Sequence, residues 1–207
     1  MKRPEHRAPA LGQLRAAHAI FVEREARDLF YRVATELVQR ALAGRSTISF
    51  AESIAVLLAT WNRRYYQRGR RCDRNHVDQI RALLAKRRAT VLSYRRRQID
   101  TLSEEEGEAV RAVFARFEPL LGRVGTAKCL HLIAPTFFPL WDTNIAAKFG
   151  TRLKPGSNAN QFWRFMRLIQ GDIRALGGST AIKKVLGNSA LKLLDEYAYA
   201  KFTMRWV

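Results

Sequence analysis

Two side chains with chemistry to offer stand near the middle of the chain, Lys128 and Asp142. Ahead of the lysine lies a glycine pair, Gly122 and Gly125, each able to take the positive φ of a tight turn between helices. Thr126 and Lys128 then begin an apolar helix, whose first backbone N–H groups lack partners and form a ready site for phosphate. Cys129 to Ala134 is apolar enough to bury that helix, and Pro135 ends it. The run Phe137-Phe138-Pro139-Leu140-Trp141 carries the chain on to Asp142, the expected N-cap of a helix over Thr143 to Phe149. A carboxylate is thereby held beside an apolar wall, downstream of a phosphate-binding turn. That order suits gripping a nucleic-acid backbone and acting on one nucleotide.

These segments resemble the helix-hairpin-helix DNA glycosylases. Their pattern runs from a Gly-hydrophobic-Gly hairpin through an apolar helix to a Phe-Pro-x-x-Asp-x-x-Val segment, for which FPLWDTNI (Phe138 to Ile145) stands here. Upstream, FAESIAVLLATWN (Phe50 to Asn62) is similar to the family helix that ends in a short polar motif lining the base pocket. The likeness covers about Phe50 to Gly150, and the hairpin reads Gly-Arg-Val-Gly, one residue longer between its glycines than the family pattern. The resemblance implies an all-α, bilobal helical fold, with residues 1–207 as a single domain and the pocket and hairpin region at about 50–150. It further implies a DNA glycosylase that flips a damaged or modified base from double-stranded DNA and hydrolyses its N-glycosidic bond. Gly122, Gly125, Thr126 and Lys128 would bind the DNA, and Asp142 would be the catalytic carboxylate.

Asp142 has two compatible roles. A helix cap contributes about 1 kcal/mol, and a pre-placed carboxylate stabilises the positive charge that develops at C1′ as a base departs. Lys128 has two competing ones. In bifunctional members of the resembled family a hairpin-region lysine attacks the sugar and forms a Schiff base. Lys128 lies one step later, and one helical step turns a side chain by about 100°, from the sugar toward the phosphate. The expectation is therefore a phosphate contact and a monofunctional enzyme. Trp61 and Tyr65, four apart, either stack on a base or pack inward, while the Asn62 amide can read a base edge. Trp141 walls the pocket or plugs the core; Phe162, Trp163 and His131 read as core. Thr60, Trp61 and Asn62 stand where glutamines are common in the resembled repair enzymes, which points to an unusual target such as a hypermodified phage base, and so to anti-phage defence.

Composition agrees with a polyanionic partner. Lys plus Arg number 37 against 18 acidic residues, a net charge of +19 with a pI near 11.0, beyond what solubility needs. No apolar run approaches the ~18 residues of a membrane span, and the first residues lack a signal peptide's apolar block, so a cytoplasmic monomer free of membrane is expected. Cys72 and Cys129 lie in unlike settings, and the four histidines have no metal-ligand spacing with them, so neither a disulfide scaffold nor a zinc site is expected. The iron-sulfur cluster of some glycosylases lacks ligands, since no cysteine follows Cys129, and no cofactor fingerprint occurs. The competing class is a non-enzymatic helix-hairpin-helix protein that grips duplex DNA while Asp142 only caps its helix. Clustered arginines at Arg68 to Arg74, Lys86 to Arg88 and Arg95 to Arg97 would face the DNA backbone in either case.

The elements that must position these residues are all helical. Apolar spacing predicts helices over Leu14 to Leu42, Phe50 to Gln67 and Asn75 to Tyr94, and another from the Ser103–Glu106 capping box to Phe117. The hairpin helix and the Asp142 helix follow. An aromatic helix from Asn158 to about Ala175 and a last one from Ser189 onward complete the chain, with Gly177 and Gly178 in a loop between.

Overall fold

A computed structural model describes residues 7–62, Tyr66 and residues 73–207. Among them 74% are helical and none forms a strand. The helices are α1 (Leu11–Arg24), α2 (Asp28–Leu42), α3 (Phe50–Trp61), α4 (Arg74–Ser93), α5 (Gly107–Ile133), α6 (Thr143–Lys148), α7 (Asn158–Ala175), α8 (Ser179–Leu186) and α9 (Ala190–Ala198), with a π-helical turn over Tyr199–Met204.

Helix α3 starts on a capping box. Ser49 Oγ accepts the Glu52 N–H at 3.2 Å, and Glu52 Oε2 accepts the Ser49 N–H at 2.7 Å, so two otherwise orphaned donors are satisfied. With Ile54, Leu57 and Leu58 fully covered, α3 is a central strut that packs on α2, α4 and α5. On the other side of α5, Phe114 meets Phe162 of α7 at 4.6 Å and Trp141 at 5.8 Å between ring centroids. Each such buried ring contributes roughly 1.5–3 kcal/mol through apolar burial, so Phe162 and Trp163 are core as expected. The chain's first helix packs against its last, α1 on α9.

Three boundaries differ from the pattern. The expected long helix over Leu14 to Leu42 is two, broken at Glu25 to Arg27 without a glycine or proline. Glu25 holds the break: one carboxylate oxygen accepts the Arg27 N–H at 3.0 Å and the other accepts the Tyr199 hydroxyl at 2.5 Å, a partner 174 residues away. Helix α8 is additional, entered through Gly177 and Gly178 at φ 92° and 93° and stopped by Gly187 at φ 75°. The last helix runs as α only to Ala198, then widens into the π turn.

The glycine hairpin is also built otherwise. Gly122 alone leaves helical geometry, at φ 68° and ψ 164°, and kinks α5 there. Gly125 is helical and buried, its missing side chain letting Asn62 Nδ2 approach to 3.0 Å of where a Cβ would stand. The two glycines thus do different jobs, and substitution separates them. Gly122→Ala forces an alanine into backbone territory almost reserved for glycine, an expected loss of about 1–3 kcal/mol. Gly125→Ala needs only a small shift of the Asn62 amide and gains up to about 1 kcal/mol of helix propensity, so it should be nearly neutral. Urea unfolding of both variants checks this; equal losses would mean that the kink does not depend on Gly122.

Candidate active site

Asp142 caps α6 as expected. Its Oδ1 accepts the Ile145 N–H at 2.8 Å, which fixes the side chain at the mouth of the short helix. The connection leading to it is anchored from α5 by His131, whose Nδ1 donates to the Phe138 carbonyl at 2.8 Å while Nε2 accepts the Tyr31 hydroxyl at 3.0 Å. The imidazole is fully buried and satisfied on both nitrogens, the core histidine the sequence suggested. Burial lowers its pKa to about 4, so it is neutral in the folded protein.

Beside Asp142 opens a recess. The break between α1 and α2 supplies Glu25, Arg27 and Asp28; α3 supplies Trp61, α5 Lys128, and the C-terminal elements Asp195 and Tyr199. Phe21, Leu140 and Trp141 form its apolar surface. Of the site residues expected from the sequence, Asp142, Lys128, Trp61 and Trp141 therefore meet at one cavity. Trp141 is both wall and plug: it lines the recess, is 1% exposed, and packs on Phe114 and Phe162.

Lys128 does not project toward solvent to hold a phosphate, as the one-step rotation implied. Its ammonium turns into the recess, donates to the Trp61 carbonyl at 2.8 Å and lies 4.2 Å from the centre of the Trp61 ring. Burial lowers its pKa to about 8, with Asp142 and Asp195 acting in the opposite sense. Gly125 and Thr126 are buried and offer no face to DNA, while Gly122 is half-buried at the kink and the neighbouring Arg123 is exposed. Asn62 packs against Gly125 and does not line the recess. Tyr65, Arg68 to Arg71 and Cys72 fall outside the described residues.

Two of the expected DNA-facing arginines serve the fold. Arg95 donates to the Ile133 carbonyl at 2.6 Å, and Arg97 pairs with Glu106. Lys86 and Arg88 are exposed.

Sequence reasoning missed Glu25, Arg27, Asp28, Asp195 and Tyr199. One signal was present: Asp195 and Tyr199 are four apart in a leucine-rich stretch, LKLLDEYAYA. A carboxylate amid leucines is costly unless partnered or used. Burial above all, then Lys192 in opposition, Asp142 and Glu196 in the same sense and Lys128 in opposition, leave the Asp195 pKa raised to about 7. Tyr199 is likewise raised, first by burial and then by Glu25.

Behind the recess, Lys192 donates to Asp28 at 2.8 Å, lies 3.5 Å from Glu196, and faces the Phe21 and Tyr31 rings at 4.4 and 4.5 Å. Glu196 also holds His18 Nδ1 at 2.6 Å. Burial alone would depress the Lys192 ammonium, but Asp195, Glu196 and Asp28 together outweigh it and hold it above the ordinary lysine value.

Among the described residues no three His, Cys, Asp or Glu side chains are grouped to hold a metal ion, and no helix is long and apolar enough to cross a membrane. No family model, curated protein or solved structure matches the chain.

The anchoring of this connection by a neutral histidine predicts a pH dependence. The unfolded imidazole takes up a proton near pH 6.5, the folded one only near 4, so its contribution to stability is complete above 6.5 and lost as pH falls through that window. The loss should reach about 3 kcal/mol at 1.36 kcal/mol per unit. Urea unfolding of wild type and His131→Leu between pH 7 and 4 checks it: the decline should be smaller in the variant, and an equal decline would assign it to other groups.

Proposed function

We propose that the chain is a DNA glycosylase of the helix-hairpin-helix kind, which draws one damaged or modified nucleotide from the duplex and hydrolyses the bond between its base and C1′. The observation that carries this reading is the convergence of Asp142, Lys128, Trp61 and Trp141, from separate segments of the sequence, on one recess.

The electrostatics of the recess support it. In a chain of net charge +19, four of the 18 acidic residues (Glu25, Asp28, Asp142 and Asp195) line this cavity. Such a lining repels phosphate and favours a group that becomes positive. Base departure creates that group, since the bonding electrons leave with the base and positive charge spreads over C1′ and the ring oxygen. The backbone amide of Ile145 engages Asp142 Oδ1, and Oδ2 is the oxygen left to face that charge or take a proton from the attacking water. Flipping costs a few kcal/mol, least for a mispaired base, and the basic exterior offsets it through phosphate contacts.

Base release is tested by incubating genomic and phage DNAs with the protein in EDTA and identifying free bases by mass spectrometry. Asp142→Asn keeps the cap, because the amide oxygen still accepts the Ile145 N–H, yet removes the charge. It should lower release by about 100-fold or more while DNA binding persists. A folded variant within about threefold of wild type would retire Asp142 from catalysis. Binding without any release by the wild type would favour the non-enzymatic alternative.

The position of Lys128 offers a second chemistry beside hydrolysis. An amine with a pKa of about 8 is neutral in about a tenth of molecules at pH 7, and its nitrogen can bond to C1′ as the base leaves, giving a Schiff base after the sugar ring opens. Borohydride should then trap a protein–DNA adduct that Lys128→Ala abolishes. Base release that leaves intact abasic strands and no adduct would restrict Lys128 to orienting Trp61 and balancing charge.

A further inference from the structure

Asp195 stands apart from the other acids of the recess. Asp142 is engaged by a backbone amide, Glu25 by Tyr199 and the Arg27 amide, and Asp28 by Lys192. No hydrogen bond or ion pair reaches the Asp195 carboxyl among the described residues. It is half-buried, and behind it lies hydrocarbon: Leu140, Phe165, Ile169 and Leu194 line a smaller hollow on its far side. It thus reaches the same cavity as Asp142 from a different helix and also borders an apolar hollow.

We propose that Asp195 is the general acid of the reaction, handing its proton to the departing base while Asp142 serves the sugar. The inference rests on the base-excision reading. The C1′–N bond breaks with its electron pair going to the base, and the Asp195 O–H breaks as its proton joins a nitrogen or oxygen of that base. Water supplies the new C1′–O bond, and its released proton passes to Asp142. Solvent then reprotonates Asp195 and accepts the proton from Asp142. Two carboxyl groups in one cavity, held in unlike surroundings, divide acid and base roles in this way.

The charges around Asp195 fit the role. Lys192 and Glu196 flank it on its own helix, Lys128 faces it from α5, and Asp142 from the start of α6. Glu25, Arg27 and Asp28 lie across the recess, with Tyr199 one turn further along the chain. Burial leads in keeping the proton on, and a group that titrates near 7 is well matched to proton transfer at neutral pH. The substrate class follows: bases that leave as anions unless protonated, that is neutral bases with an acceptor on the departing ring.

The test compares wild type, Asp195→Asn and Asp195→Glu in single-turnover base release from three duplexes. Two carry a neutral base, deoxyinosine or deoxyuridine; the third carries 7-methylguanine, whose base already bears the positive charge that protonation would supply. Asp195→Asn should lose about 100-fold or more on the neutral bases and less than about fivefold on 7-methylguanine, with partial recovery in Asp195→Glu. The wild-type rate on neutral bases should fall above pH 7, and that limb should be missing in Asp195→Asn. A further readout needs no substrate. Carbon-13 carboxyl titration of the free protein should show one aspartate near 7 that disappears in Asp195→Asn. Equal losses on all three duplexes, an unchanged rate, or titration of Asp195 below about 5 would overturn the proposal. Wild type that releases nothing from these duplexes or from genomic and phage DNA would instead overturn the base-excision reading, and this proposal with it.

Discussion

The ammonium of Lys192 is buried where three helices meet, and the walls of the recess depend on how that charge is satisfied. Its side chain is 5% exposed, and a buried ion costs several kcal/mol unless partners replace its water. The partners come from different parts of the chain: Asp28 at the start of α2, Glu196 on its own helix, and the Phe21 and Tyr31 rings. Glu196 extends the network to His18 on α1. Satisfying one cation therefore locks the first two helices against the last. Asp28, Phe21 and Asp195 all sit at that junction and line the recess, so the network holds one side of the cavity in register with the other.

The opposite side is held by packing and by two hydrogen bonds of a neutral imidazole. His131 joins α2 to α5 through Tyr31 and ties α5 to the connection through the Phe138 carbonyl. The aromatic residues of that connection anchor in the core, Phe137 stacked on Tyr94 at 4.7 Å and Trp141 among Phe114, Phe162 and Phe165. Asp142 emerges from this rigid block with its rotamer fixed by a backbone amide. Under the proposed reaction such support matters, because a group that stabilises charge without reorganising spends no energy on moving. The charged half of the cavity and the aromatic half thus reach preorganisation by different means.

Under the proposed function the contrast between interior and exterior charge follows from what each would meet. A surface excess of lysine and arginine attracts a polyanion over a distance of about a Debye length, roughly 8–10 Å. Inside the recess burial strengthens interactions, and the protonation of Lys128 and of Asp195 responds to it. Lys128 loses affinity for its proton and Asp195 gains it, both chiefly through burial. The shifts of the amine and of the acid toward neutral pH result from the same desolvation acting on opposite charge types.

Features that depend on near neighbours were legible in the sequence. The Ser103–Glu106 box, the Asp142 cap, the all-helical periodicity and the bounds of α7 arise within a turn or two of chain, where residue type and spacing determine which backbone groups find partners. Asp142, Lys128, Trp61 and Trp141 could be nominated on that basis. Features that depend on distant partners were not. The break at Glu25 is held by a tyrosine 174 residues away, so helical spacing read straight through it. Gly125 and Gly122 look alike in sequence, yet the approach of α3 buries one while the kink requires the other. Which way Lys128 turned, and that Asp195 shared its cavity, awaited the packing of α5 against α3 and of α9 against α1. Desolvation is a property of the assembled surroundings, and no local pattern of residues encodes it.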